Sequence, residues 1–171
     1  LSNSLLHFIT RIRQNHALEH ATIHVLSGRQ PELRLAGRAD HSGFYLIGTA
    51  DLDAVADAAQ TALQRLQAGE ARLALHPNCG TNLVTAAGLA GSAAVLAFVG
   101  TRNTRERLER LPMLISLLAG VLMFAQPLGM SAQKHITTCA WLDDVHLVDV
   151  QRSGQFGLWG HPVPVYHVRT R

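Results

Sequence analysis

LVTAAGLAGSAAVLAFVG, residues 83–100, is small or apolar throughout apart from Thr85 and Ser92. It lies in a longer stretch, from Arg72 to Arg102, that has no charged residue between its ends. A helix crosses the hydrocarbon core of a bilayer with about 20 such residues. A second uncharged run, LPMLISLLAGVLMFAQPLGMSAQ at 111–133, follows after the polar link TRNTRERLER. The two runs predict a transmembrane helical hairpin over 82–133. Gly88, Gly91, Ser92 and Gly120 are the small residues expected to let its helices approach. A pair of buried helices in a soluble protein is the competing reading of the same runs.

Working outward, two considerations oppose each other on orientation. Arg102, Arg105, Arg107 and Arg110 favour a cytoplasmic link by the positive-inside rule. The N-terminal part carries no basic-then-apolar secretory signal, so it is expected to stay in the cytoplasm. The expectation adopted is a bacterial inner (cytoplasmic) membrane protein with its N-terminal part, and any site it carries, on the cytoplasmic side.

Upstream, residues 1–81 read as a small α+β unit. Ser2, Asn3 and Ser4 offer N-caps and Gly28 a stop. Between them Leu5, Ile9, Ile12, His16, Glu19, His20 and Ile23 recur at helical spacing. Two β-prone segments at 33–48 flank Asp40-His41-Ser42-Gly43 and predict a hairpin. Thr49 or Asp51 caps a second helix over 52–68, with Leu52, Val55, Ala59, Ala62, Leu63 and Leu66 on its apolar face and Gly69 ending it. A short strand is expected at Arg72–Leu75. Downstream, in 134–171, Val145–Val150 and Val163–Val168 read as strands that complete the sheet.

The 171 residues are 47% hydrophobic and 16% charged, with a net charge of +3. That composition excludes a disordered chain, and the scattered basic residues exclude a phosphate-tracking surface, so no nucleic-acid partner is expected. Two cysteines, Cys79 and Cys139, argue against a disulfide framework. Ten histidines are the anomaly.

Chemistry concentrates in His16-Ala-Leu-Glu19-His20, the H-x-x-E-H order of inverted zinc proteases. Residues four apart share a helical face, so two imidazoles can bind one zinc ion while Glu19 points toward its water as general base. At this composition the pattern arises by chance only about 0.02 times per chain. Hydrogen bonding of the three side chains to each other and to backbone is the competing account. His24, one turn further, reads as a ligand, an outer-sphere partner or a plain polar residue. A third ligand is sought in His76-Pro-Asn-Cys79-Gly-Thr81, where Cys79 or His76 suits zinc and Thr81 stands just beyond; Glu70 is a weaker candidate. His7, His41, His135, His146, His161 and His167 read as structural or exposed.

Three stretches together resemble a known group: His16-x-x-Glu19-His20-Ala-Thr-Ile23-His24, His76-Pro-x-Cys79-Gly80-Thr81, and Pro127-Leu-Gly129-Met-x-x-Gln133-x-x-x-Thr137-Thr138. The group comprises bacterial membrane proteins of unknown function, whose relatives are catalogued as predicted metal-dependent enzymes. The resemblance runs over residues 14–138 and implies a metal site more than a reaction. Larger members carry more spans. The Gln-Lys-His-Ile-Thr-Thr segment has one residue more than the group's Gln-x-x-Thr-Thr, which leaves Gln133, Thr137 and Thr138 without an assigned role.

The function expected is a membrane-anchored zinc-dependent hydrolase, most simply a metallopeptidase acting on a peptide or membrane-protein substrate. The alternative is a structural zinc site, closed by His16, His20, His76 and Cys79, in an accessory or assembly subunit. Expected partners are membrane lipid and a further copy or a larger membrane complex.

Overall fold

The computed structural model describes residues 3–158 and 161–171. The chain is mixed α+β and divides into two compact units, Leu1–His76 with Lys134–Arg171, and Pro77–Gln133. The candidate N-cap Ser2 and the side chain of His161 lie outside the described residues.

In the first unit the helix α1, Asn3–Arg29, spans 27 residues, about 40 Å at 1.5 Å per residue. It runs through Gly28 instead of stopping there. Strands β1 (Ala36–Ala39) and β2 (Gly43–Ile47) form the hairpin around Asp40, whose carboxylate accepts from the Ser42 N–H and hydroxyl. Helix α2 covers Leu52–Gln67 with Asp51 at its N-cap. Two long strands, β3 (Leu147–Leu158) and β4 (His161–Thr170), complete a four-stranded antiparallel sheet in the order β1-β2-β4-β3. The period of two sorts its faces: Phe44 and Leu46 with their cross-strand partners Val168 and Tyr166 point to the core, while Tyr45 stacks on His167 on the other face. Ala17, Leu18, Ala21, Val25 and Leu26 of α1 and Val55, Ala58, Ala59, Ala62, Leu63 and Leu66 of α2 share that core. Leu52 does not; it is exposed at the first turn of α2.

Polar groups key α1 to the rest of the unit. The fully buried Asn15 donates to the Asp40 carbonyl (2.8 Å) and accepts from the Thr170 hydroxyl (2.7 Å). Gln14 donates to the Trp141 carbonyl and the Asp144 carboxylate. Each bond joins residues far apart in the chain, so α1 is fixed by the C-terminal segment as much as by its neighbours.

The strand expected at Arg72–Leu75 is a 3₁₀ turn, Ala71–Ala74. Gly69, at φ +92°, turns the chain sharply, and Arg65 grips Glu70 through two hydrogen bonds. The next amides then close on carbonyls three residues back, Leu73 on Glu70 and Leu75 on Arg72.

The second unit contains α3 (Gly80–Phe98), α4 (Thr104–Glu109) and α5 (Leu111–Ala132); a π-helical turn, Gln133–Thr137, follows α5 where the chain passes back into the first unit. Two helices, Gly80–Phe98 and Leu111–Thr137, are long and apolar enough to cross a membrane. The polar link is partly helical because the Asn103 side chain caps the Glu106 N–H while the Glu106 carboxylate accepts from the N–H of Arg102, the residue before the cap. The helices do not meet at Gly88, Gly91 and Gly120, where a Cβ would encounter nothing within 4 Å. They meet instead along Ala93, Ala97, Ala125 and Gly129, which are buried. At Gly129 a Cβ would lie 2.9 Å from the Asn82 Cα, so only glycine admits this approach.

Candidate metal centre

Helix α1 places His16, Glu19, His20 and His24 on adjoining turns of one face, the first three by the i, i+3, i+4 spacing and His24 one turn on. His20 is 1% exposed and Glu19 4%, whereas His16 is half-buried. His16 and His20 sit edge to face, with ring centroids 4.4 Å apart. His76, the last residue of the first unit's N-terminal stretch, lies 5.7 Å from His20 and 4.9 Å from His24 between ring centroids. Four imidazoles therefore form one row, His16, His20, His76, His24.

The hydrogen bonds select nitrogens. His16 Nδ1 lies 3.0 Å from the Thr137 carbonyl and His20 Nδ1 2.8 Å from the Ala74 carbonyl. A carbonyl only accepts, so each Nδ1 carries a proton, and in the neutral ring it is Nε2 that keeps the lone pair. His24 is arranged the opposite way, its Nε2 donating to the Leu75 carbonyl over 2.8 Å. Burial, followed by the charges of His24 and His20, lowers the His76 pKa to about 4. His76 is thus a neutral imidazole at physiological pH, the form in which histidine binds metal.

Glu19 is seated against β1. A Cβ on Gly37 would fall within the glutamate side chain, 2.6 Å from its Cδ and 2.7 Å from its Cγ. Gly37 was not among the residues singled out from the sequence, although a glycine inside a strand is the usual mark of a close approach. The carbonyls of Ala74 and Thr137 were missed too, and no residue-type signal would have found them.

Cys79 and Thr81 belong to the second unit. Cys79 is the N-cap of α3, and its Sγ accepts from the Thr81 N–H at 3.4 Å. Asn82 braces the same turn, donating to the Pro77 carbonyl and accepting from Gln133 Nε2 at 2.8 Å. Gln133, fully buried, thereby ties the end of α5 to the start of α3. Cys79 follows His76 by three residues, so the chain alone holds it within about 11 Å of His76. Glu70 is engaged by Arg65. Among the other histidines, His41 stacks on Phe8, His167 stacks on Tyr45, and His7, His135 and His146 are exposed.

The fold and this row of imidazoles define an α+β unit, with histidines along a core helix, interrupted in sequence by a pair of apolar helices. The chain belongs to the DUF6391 family, a domain of unknown function, whose profile matches residues 11–150. It is 40% identical over 155 residues to an uncharacterised protein of the cyanobacterium Picosynechococcus sp. (strain ATCC 27264 / PCC 7002 / PR-6), covering 83% of this chain and 72% of that one. No solved structure matches.

Proposed function

We propose that this chain is a membrane-anchored, zinc-dependent hydrolase of the inverted H-x-x-E-H type, acting on peptide bonds at the cytoplasmic face of a bacterial inner membrane. The observation that carries the reading is the pair of Nδ1 bonds on His16 and His20. Metal-ligating histidines characteristically commit their second nitrogen to a carbonyl or carboxylate, which fixes the tautomer and aims the ring. Here two successive turns of one buried helix do so, and both partners are main-chain carbonyls. Two Nε2 nitrogens from α1 are donors that zinc favours, and His76 of the same unit lies beside His20; Cys79, three residues further along the chain, is the alternative third ligand. A sulfur at a helix N-terminus, accepting a backbone N–H, is placed to carry the negative charge of a thiolate.

Zinc, when bound, acidifies a water and polarises a carbonyl. With zinc held there, Glu19, one step along the same face and seated on Gly37, would be the base that takes up a proton from water and returns it to the departing amine. His16 and His20 would hold and orient, each keeping its proton on Nδ1 and donating it to the Thr137 or Ala74 carbonyl throughout.

A second reading is favoured by His76, whose ring adjoins His20. Together with Cys79 it would close a four-ligand structural site in an accessory subunit of a larger membrane complex. Metal content and turnover separate the two. Purified protein is expected to hold about one zinc per chain, lost in His16→Ala and His20→Ala and kept in His161→Ala. Turnover of peptide libraries by vesicle-reconstituted protein, followed by mass spectrometry, should fall by several orders of magnitude in Glu19→Gln at equal zinc content. Identical product profiles from wild type and Glu19→Gln would transfer the assignment to the structural site. Metal-free wild-type protein would end both.

A further inference from the structure

We infer that the first turns of α1, residues 4–12, lie in the headgroup boundary of the bilayer as an in-plane amphipathic anchor, separate from the two apolar helices. The inference rests on the reading that those helices span a membrane.

Within α1 the change in environment is abrupt. Residues 4–10 are exposed without interruption, whereas 14–23 are buried apart from the half-buried His16. The exposed turns are not polar: Leu5 is 41% exposed, Leu6 51%, Phe8 46% and Ile9 43%. Leu5, Phe8, Ile9 and Ile12 fall at i, i+3, i+4 and i+7, one continuous stripe, with Leu6 at its margin. Ser4, His7 and Arg11 occupy the opposite side. Among the described residues, one edge of this stripe is covered where the Phe8 ring stacks on His41 with centroids 5.4 Å apart.

The first unit also ties this end of α1 to the exit from the second apolar helix. That helix continues to Thr137. Arg13 donates to the carbonyls of His135 (3.1 Å) and Thr138 (3.0 Å), and its own carbonyl accepts from the Cys139 N–H at 3.0 Å. The segment that leaves the span is therefore bonded to α1 at Arg13. Leu5 is eight residues from that point, about 12 Å along the helix. The stripe thus lies within about 12 Å of a bond to the residues that follow the apolar helix, and interfacial helices bury their apolar face about 5–10 Å into the headgroup region.

Charge selects lipid over a second copy. Residues 1–18 contain no acidic side chain, while Arg11 is basic; Arg13 is engaged by the carbonyls of His135 and Thr138. Two copies meeting through this stripe would bring like charges together, whereas anionic headgroups complement them.

Site-specific photocrosslinking of the full-length chain tests this. p-Benzoylphenylalanine replaces Leu5 in the stripe, His7 on the opposite side, or Met123 on α5, which is 75% exposed. Each protein is reconstituted in vesicles of about three parts phosphatidylcholine to one part phosphatidylglycerol and irradiated, and the adducts are identified by mass spectrometry. Lipid adducts at position 5 are expected roughly fivefold above those at position 7 and close to those at position 123. Crosslinks from position 5 to a second chain, or a yield no greater than at position 7, would overturn the anchor while leaving the spans intact. Absence of lipid adducts at position 123 would remove the spanning reading, and the anchor with it.

Discussion

Gly37 and Glu19 compete for one volume, and this contest is the sharpest single-residue feature of the site. An alanine at 37 has no backbone objection to its place in β1, but its Cβ collides with the glutamate. Gly37→Ala is expected to lower stability by about 1–3 kcal/mol, as overpacking does, and to displace Glu19. Chemical denaturation of Gly37→Ala, Glu19→Ala and the double variant checks the pairing, because the alanine should cost much less once the carboxylate is gone. Asn15 offers a second case. Asn15→Leu leaves the Asp40 carbonyl and Thr170 hydroxyl without their buried partner, at a cost of about 1–3 kcal/mol measured as a shift of the denaturation midpoint. The two cases differ in how far the sequence announced them. His16, Glu19 and His20 are legible because helical spacing converts directly into a shared face. The Ala74 and Thr137 carbonyls are not, because every residue carries the same carbonyl and only the fold decides which one faces an imidazole.

At the scale of elements, helical periodicity carries α1 and α2, the β-prone segments around Asp40–Gly43 carry the β1–β2 hairpin, and the length of the uncharged runs carries the two apolar helices. It fails at 72–75, where Arg-Leu-Ala-Leu imitates a strand's alternation although tertiary contacts, not the local pattern, decide. The carbonyls of Ala74 and Leu75 face His20 and His24, so the segment hydrogen-bonds to side chains in place of a neighbouring strand. Composition misleads again in the apolar pair, since glycine content does not reveal which glycines face the neighbouring helix. Gly129→Ala should therefore lower the melting temperature in detergent by several degrees, a ~1–3 kcal/mol overpacking penalty, by pushing Asn82 aside. Gly120→Ala should leave it unchanged or raise it slightly, because its Cβ enters open space and alanine favours helix. Equal losses in both would contradict the packing described for these helices.

For the whole molecule, two bulk measurements follow. Protein carrying the two apolar helices is expected to stay with the membrane through alkaline carbonate extraction, and its recovery in the supernatant would exclude spanning. Removing metal with a chelator is expected to lower the melting temperature, since an ion held only by the folded state stabilises it by mass action. That shift should vanish in His20→Ala. The interrupted layout of the first unit bears on the order of events during synthesis. Residues 1–76 emerge first, yet the carbonyl that orients His16 belongs to Thr137 and the strands that close the sheet begin at Leu147. At about 5–20 residues per second the ribosome needs several seconds to traverse the intervening segment. Throughout that interval the histidine helix has no finished core and His16 no fixed tautomer. A complete histidine centre can exist only after both apolar helices have been made, so under the proposed reading the order of the chain itself delays any activity until the segments that would enter a bilayer have left the ribosome.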